Sequence, residues 1–422
     1  MNKVSRIKLK NGLRLLVVPN PESLATTIYV FVATGSKYED KKTNGLSHFL
    51  EHMCFKSTRK RPRPIDIASD LDGIGAQYNA LTTHEYTGYY AKVQNSSFQK
   101  AFDVISDLYL HPVFRDDDVN TERGVITEEI NMYEDSPKSK VGEIFMELLY
   151  GNQPAGRSVL GTKENIAKFS KNDLISYRKN NYLPCSTVVV ISGKISASEA
   201  ASLVKKEFSL LARGEKMSKL KVVERQNSPA EKLFYKKSEQ SHLMLGLRTF
   251  PAADERRYSL SVLAEVLGGG MSSRLFKKVR DELGAAYYVR AETDFFSDHG
   301  FLSVDAGVDH RKLEAVIAAI VSELKRLKKE KVGDIELIKA KEHLIGDLFL
   351  SIETSDALGY FYGTQEIMDM KPSSPFEIAR KIRQVTSEDI LKTAGDIVKN
   401  NRLNMALVGP FKNRSFADIL KV

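Results

Sequence analysis

The sequence predicts an α+β protein of two domains, and three observations carry that prediction. At 422 residues the chain is too long for one hydrophobic core and suits two of about 200 residues each. Strand and helix signals alternate along it, but β-hairpin signals interrupt the alternation, which points to α+β layers. Finally, both halves open on strand signals, continue through helices and close on a strand beside a glycine, STVVVISGKIS at 186–196 and LNMALVGPF at 403–411.

The elements follow in order. MNKVSRIKLKNGLRLLVVPN reads as strand, Asn11-Gly12 turn, strand. A helix opens near Asn44, a plausible N-cap, and a second runs from Val119 to Glu134. An amphipathic helix at about 198–211 precedes a charged stretch without periodicity, after which LFYKKSEQSHLMLGLRTF (233–250) restarts a strand pattern. We therefore divide the chain into a domain at 1–214, a linker at 215–232 and a domain at 233–422. Gly268-Gly269-Gly270 lacks the spacing of a phosphate loop and reads as a turn before a helix starting near Ser272. Gly284 suits the end of that helix, and a strand starts at Ala286. The densest basic cluster, Lys325 to Lys329, suits the solvated end of a helix.

Composition excludes several classes. A hydrophobic fraction of 42% with 28% charged residues fits a soluble globular protein, and no apolar run reaches the roughly 18 residues that span a bilayer. The N-terminus lacks a signal-peptide core, so the expected location is cytoplasmic, without membrane insertion. Two cysteines make no disulfide framework, and Cys54 reads as a buried apolar residue. A net charge of +9 is mild for this length, and no nucleic-acid-binding motif accompanies it.

The chemistry concentrates in NGLSHFLEHM (44–53), where His48, Glu51 and His52 form H-x-x-E-H, the inverse of the H-E-x-x-H zinc signature. On a helix, at about 100° per residue, His48, Glu51, His52 and Phe55 fall in one sector. Leu46, Phe49, Leu50 and Met53 fall opposite, giving one core face and one chemical face. The two histidines are four apart and can share a metal, and Glu51 is placed to take a proton from water. A catalytic zinc needs a third protein ligand. In VNTERGVITEEINMYE the apolar stripe is Val119, Ile126, Ile130 and Tyr133. Glu122 and Glu129, seven apart, stack along its border, while Glu128 points to solvent. We take Glu129 as the ligand and Glu122 as its supporting partner. The other histidines (His84, His111, His242, His299, His310 and His343) show no paired spacing.

At this point the chain resembles a known family, the pitrilysin/insulinase zinc metallopeptidases, which include the mitochondrial processing peptidases and their bacterial homologues. HFLEHMCFKST (48–58) resembles the family's metal helix. ERGVITEEINMYEDSP (122–137) resembles the segment with the third ligand, which the family pattern also places at Glu129, supported by Glu122. NALTTHEYTGYY (79–90) resembles the strand beside the site, and GRSVLGTKENI (156–166) and GGGMSSRLFKKVRDELGAAYYV (268–289) also match. The resemblance runs from about residue 5 to Phe411. It implies two related domains, each an antiparallel-dominated sheet with helices packed on one face, and one zinc ion per chain. It also implies an oxyanion pair at Arg280 and Tyr287, with Tyr288 as the alternative register. Substrates would be extended or unfolded peptides, added to a sheet edge near Asn79, whose amide can bond peptide backbone. The implied assembly is a homodimer, or a heterodimer with a related chain, enclosing a chamber. A non-catalytic scaffold subunit is the competing reading, and the complete metal motif argues against it.

Overall fold

Two sheets organise the chain, in a computed structural model that describes residues 4–422. The first three residues of the expected N-terminal strand, Met1–Lys3, lie outside the described residues. The first sheet contains β1 (Ser5–Lys8), β2 (Arg14–Pro19), β3 (Ala25–Val32), β4 (Gln77–Thr82), β5 (Thr87–Gln94) and β6 (Thr187–Gly193). Its strand order is β1-β2-β6-β3-β5-β4. The second contains β7 (Ala230–Tyr235), β8 (Ser241–Thr249), β9 (Ala286–Phe295), β10 (Gly300–Val308) and β11 (Leu403–Gly409), in the order β7-β11-β8-β10-β9.

The two sheets repeat one pairing scheme. In each, the opening strand pairs in parallel with the closing strand, β2 with β6 and β7 with β11. The remaining pairs are antiparallel. Among the described residues, only the N-terminal hairpin strand β1 has no counterpart. Its turn is the expected Asn11-Gly12, with Gly12 at φ +101°, which glycine adopts without steric cost.

Helices in the first half are α1 (Leu46–Cys54), α2 (Pro64–Asp72), α3 (Phe98–Leu110), α4 (Asp116–Asp135) and α5 (Pro137–Tyr150), followed by Lys163–Lys168, Lys171–Asn181 and Ala197–Phe208. On one face of the first sheet, α1, α3 and α4 bury Phe49, Leu50, Ile105, Ile126 and their neighbours against Val17, Ile28 and Val30. On the second sheet, Arg257–Gly268, Leu313–Lys329 and Ser387–Ile397 do the same against Leu245, Val304 and Met405.

Each sheet also carries a single helix on its opposite face, and that helix comes from the other half of the sequence. Helix Ser355–Ile367 puts Leu358 and Tyr362 on Tyr29, Phe31 and Val190 of the first sheet. Helix α5 puts Val141, Ile144 and Phe145 on Met244, Phe301 and Ala406 of the second. The compact units therefore cross the sequence boundaries. One comprises 1–130, 158–220 and 350–373, and the other 131–157, 221–349 and 374–422. The expected linker is divided between them, since residues up to Leu220 belong to the first unit and those from Lys221 to the second. Among the described residues, no helix is long and apolar enough to cross a membrane.

Candidate active site

Helix α1 forms as its periodicity predicts, with Leu46, Phe49, Leu50 and Met53 in the core. Asn44 is not its cap. The N-cap is Gly45 at φ +105°, which bonds no side chain of its own to the first turn. Gly161, at φ +79°, presses on the same place. A Cβ there would lie 2.6 Å from the Asn44 carbonyl oxygen. Asn165 donates its amide to the Asn44 carbonyl at 3.0 Å, so the 158–166 segment holds the start of α1.

His48 and His52, one turn apart, point Nε2 at Nε2 across 3.2 Å. Glu129, on α4, brings Oε2 to 3.5 Å from both nitrogens. Among the described residues this is the one group of at least three His, Cys, Asp or Glu donors that all lie within 4.8 Å of one another. Zinc–nitrogen and zinc–oxygen bonds of about 2.0–2.2 Å in a tetrahedron give donor–donor edges of about 3.3–3.6 Å. The triangle found here has sides of 3.2, 3.5 and 3.5 Å, so the donor set fits that ion.

The surroundings prepare the ligands. Burial, followed by the neighbouring His52, lowers the His48 pKa to about 3, which keeps its imidazole neutral. Burial also works against a charge on His52, but the hydrogen bond to Glu122 and the nearby carboxylates outweigh it and raise the pKa. Nδ1 of His52 lies 2.7 Å from Oε1 of Glu122, which directs Nε2 toward His48 and Glu129. Glu122 is buried and ion-paired with Lys56. Burial acts to raise its pKa, yet the bonds to His52 and Lys56 pull it below the usual carboxylate range.

Glu51 stands outside the donor triangle. Its Oε2 accepts a hydrogen bond from the Thr82 hydroxyl at the end of β4. Burial raises the Glu51 pKa, and the Thr82 bond opposes that rise. Glu128 is exposed, as the helical angle requires. Two further assignments fail: Tyr133, expected in the apolar stripe of α4, is 37% exposed, and Phe55, expected on the chemical face, sits just past the end of α1. Cys54 is buried, receives the Tyr89 hydroxyl at 3.4 Å, and has its thiol pushed up to about 11, mainly by burial.

Asn79 lies on β4, the edge strand of its sheet, with its side chain exposed and Oδ1 accepting from Ala80 N at 2.9 Å. Arg280 and Tyr287 belong to the second unit. Arg280 lies in a π-helical turn, Phe276–Glu282, and donates to the Tyr287 carbonyl at 3.1 Å. The Tyr287 ring is 75% exposed. Tyr288 faces the other way, with its hydroxyl 3.1 Å from His242 Nδ1 and its pKa raised to about 12, chiefly by burial. Sequence reasoning missed Thr82, Lys56 and Glu39. Thr82 stood inside the quoted NALTT segment, but nothing in one dimension pairs it with Glu51.

The chain is similar to known proteins along nearly its whole length. Residues 14–163 match the model of the insulinase family (peptidase family M16), and residues 168–344 match that of the peptidase M16 inactive domain. The first match contains the whole donor triangle. The uncharacterized zinc protease YmxG of Bacillus subtilis (strain 168) is 36% identical over 97% of this chain and 99% of its own. An uncharacterized zinc protease of Rickettsia felis (strain ATCC VR-1525 / URRWXCal2) is 33% identical over 97% and 98%. A protease crystal structure from Helicobacter pylori superposes with a TM-score of 0.91 at 22% identity, covering 97% of this chain and 99% of that one. A peptidase M16 inactive domain from Pseudomonas fluorescens gives 0.89 at 18%, covering 98% and 100%. These last two establish the fold, a pair of related domains. With both family models matched and relatives a third identical along nearly its whole length, the chain belongs to the insulinase family, peptidase family M16.

Proposed function

We propose that the protein is a zinc-dependent endopeptidase that hydrolyses extended or unfolded peptides inside an enclosed chamber. The donor triangle of His48, His52 and Glu129 carries this reading, because three side chains from two helices meet at zinc spacing. Zinc held there supplies a Lewis acid that activates water and polarises the peptide carbonyl.

The chain's own residues divide the remaining work. Glu51 takes the proton of the attacking water at Oε1, since Oε2 is engaged by Thr82, and passes it to the nitrogen of the leaving amine. Glu122 holds the His52 ring through Nδ1, and Lys56 keeps Glu122 ionised. The edge strand β4, with Asn79 on it, offers its open side to an extended peptide, whose backbone would replace Asn79 Oδ1 as the partner of Ala80 N. Arg280 and Tyr287 serve the oxyanion that forms on the substrate carbonyl.

Glu51→Gln tests the division between holding metal and moving a proton. The variant should keep about one zinc per chain and lose about 10²–10⁴-fold in turnover. Turnover within a few-fold of the parent would remove Glu51 from the mechanism.

A further inference from the structure

The first turn of α1 is capped from a distance. Backbone N–H groups at a helix start have no partner within the helix, and a cap residue usually supplies one. Gly45 cannot. The partner is Glu39, which follows the short 3₁₀ turn Ser36–Tyr38. Its Oε2 accepts from Gly45 N at 2.8 Å and from the Asn44 amide at 3.2 Å, and its Oε1 accepts from Ser47 N at 2.6 Å. The side chain is only 2% exposed. Burying a carboxylate is costly unless its charge is met by donors. Here three N–H donors and a helix N-terminus offset part of that cost, although burial still raises the Glu39 pKa above the usual carboxylate range.

A local cap side chain has no room at position 45, where the backbone is at φ +105° and a Cβ would lie 3.0 Å from both Gly161 Cα and the Leu160 oxygen. What the longer route adds is an anchor. Ser36 N donates to the Thr83 carbonyl at 3.2 Å, and Lys37 N donates to the His84 carbonyl at 2.8 Å. The adjacent Gly35 makes this approach possible, since a Cβ there would lie 2.2 Å from the Thr83 oxygen. Thr83 directly follows Thr82, which bonds Glu51. The turn carrying Glu39 thus ties the start of α1 to the strand end that orients the proposed base. Ser47, capped at its nitrogen, also meets the Tyr177 hydroxyl at 2.7 Å, and His48 is the next residue.

We propose that Glu39 is a positioning residue of the metal centre, whose carboxylate sets the direction in which α1 presents His48, Glu51 and His52. The proposal rests on the zinc reading above. A plain stability cap would lower the melting temperature and nothing else. A positioning residue would also change metal affinity and ligand geometry.

The test compares the parent, Glu39→Gln and Ser374→Ala. Glu39→Gln keeps the side-chain shape but places an NH₂ group against one of the capped N–H groups. Ser374 caps the remote helix Pro375–Gln384 and should cost only stability. Zinc affinity would be measured by chelator competition, ligand geometry by the visible absorption of the cobalt-loaded protein, and stability by melting of the metal-free protein. Glu39→Gln should weaken zinc binding by about 10–100-fold and alter the cobalt spectrum, as loss of a residue that orients ligands does. Ser374→Ala should change neither. If Glu39→Gln does not fold, Glu39→Asp withdraws the carboxylate by one methylene while keeping its charge, and should weaken zinc binding in the same way. Zinc affinity within twofold of the parent and an unchanged cobalt spectrum, with only the melting temperature lowered, would overturn the proposal. Failure of the parent to bind zinc would overturn the zinc reading itself.

Discussion

The three corners of the donor triangle are held in different ways. His48 is kept neutral by burial, His52 is oriented through Nδ1 by Glu122, and Glu129 arrives from α4 at 3.5 Å from both nitrogens. That these side chains come together was legible in the sequence, because they are spaced along helices, four residues for the histidines and seven for the glutamates. Thr82, Lys56 and Glu39 were not, because they act on residues 31, 66 and 8 positions away, through hydrogen bonds and ion pairs that only the fold creates. The tyrosine register shows a case between the two. The spacing favours Tyr287 with Tyr288 as the alternative register; in the structure Tyr287 is exposed, while the Tyr288 hydroxyl lies 3.1 Å from His242 Nδ1. Tyr287→Phe should lower kcat by about 10–10³-fold, with KM and zinc content little changed, as loss of a donor to a developing charge does. Tyr288→Phe should stay close to the parent. If Tyr288→Phe is instead the crippled enzyme, the role moves by one residue, and if both remain active the pair has no part in the chemistry.

Helix α1 depends on two glycines as much as on its histidines. Gly45 starts it in a left-handed conformation, and Gly161 makes room for that start. Gly161→Ala would place a methyl 2.6 Å from a carbonyl oxygen at a positive φ, which should destabilise the first unit by about 1–3 kcal/mol or more. Its melting temperature should fall by about 2–4 °C for each kcal/mol, and zinc affinity should fall with it. Gly124→Ala, in an exposed turn of α4 with no atom within 4 Å of the new methyl, should instead stabilise by about 0.5–1 kcal/mol. Equal melting curves for the two variants would contradict this. At this scale the sequence announced that the helices exist but not which sheet each one covers. Helix α5 and helix Ser355–Ile367 each lie within one half of the sequence yet cover the sheet of the other. Their exchange follows from which apolar face each sheet leaves open, a property of assembled strands.

For the whole molecule, the second sheet repeats the pairing scheme of the first, while the donor triangle and Glu51 lie in the first unit and the proposed oxyanion pair, Arg280 and Tyr287, in the second. The enclosed chamber proposed above calls for two chains, identical or sister. The purified protein alone should have a solution mass near twice 47.4 kDa if the partner is a second copy. A mass near 47.4 kDa, unchanged by added peptide, would leave the sister-chain form of the proposal, which co-purification from the native source should then reveal. The central claim is tested most directly by metal content. After dialysis against metal-free buffer, elemental analysis should find about one zinc per chain in the parent and in Glu51→Gln, and little in His48→Ala or Glu129→Gln. A parent without zinc, or ligand variants that keep it near one per chain, would contradict the assignment of His48, His52 and Glu129 as the metal site.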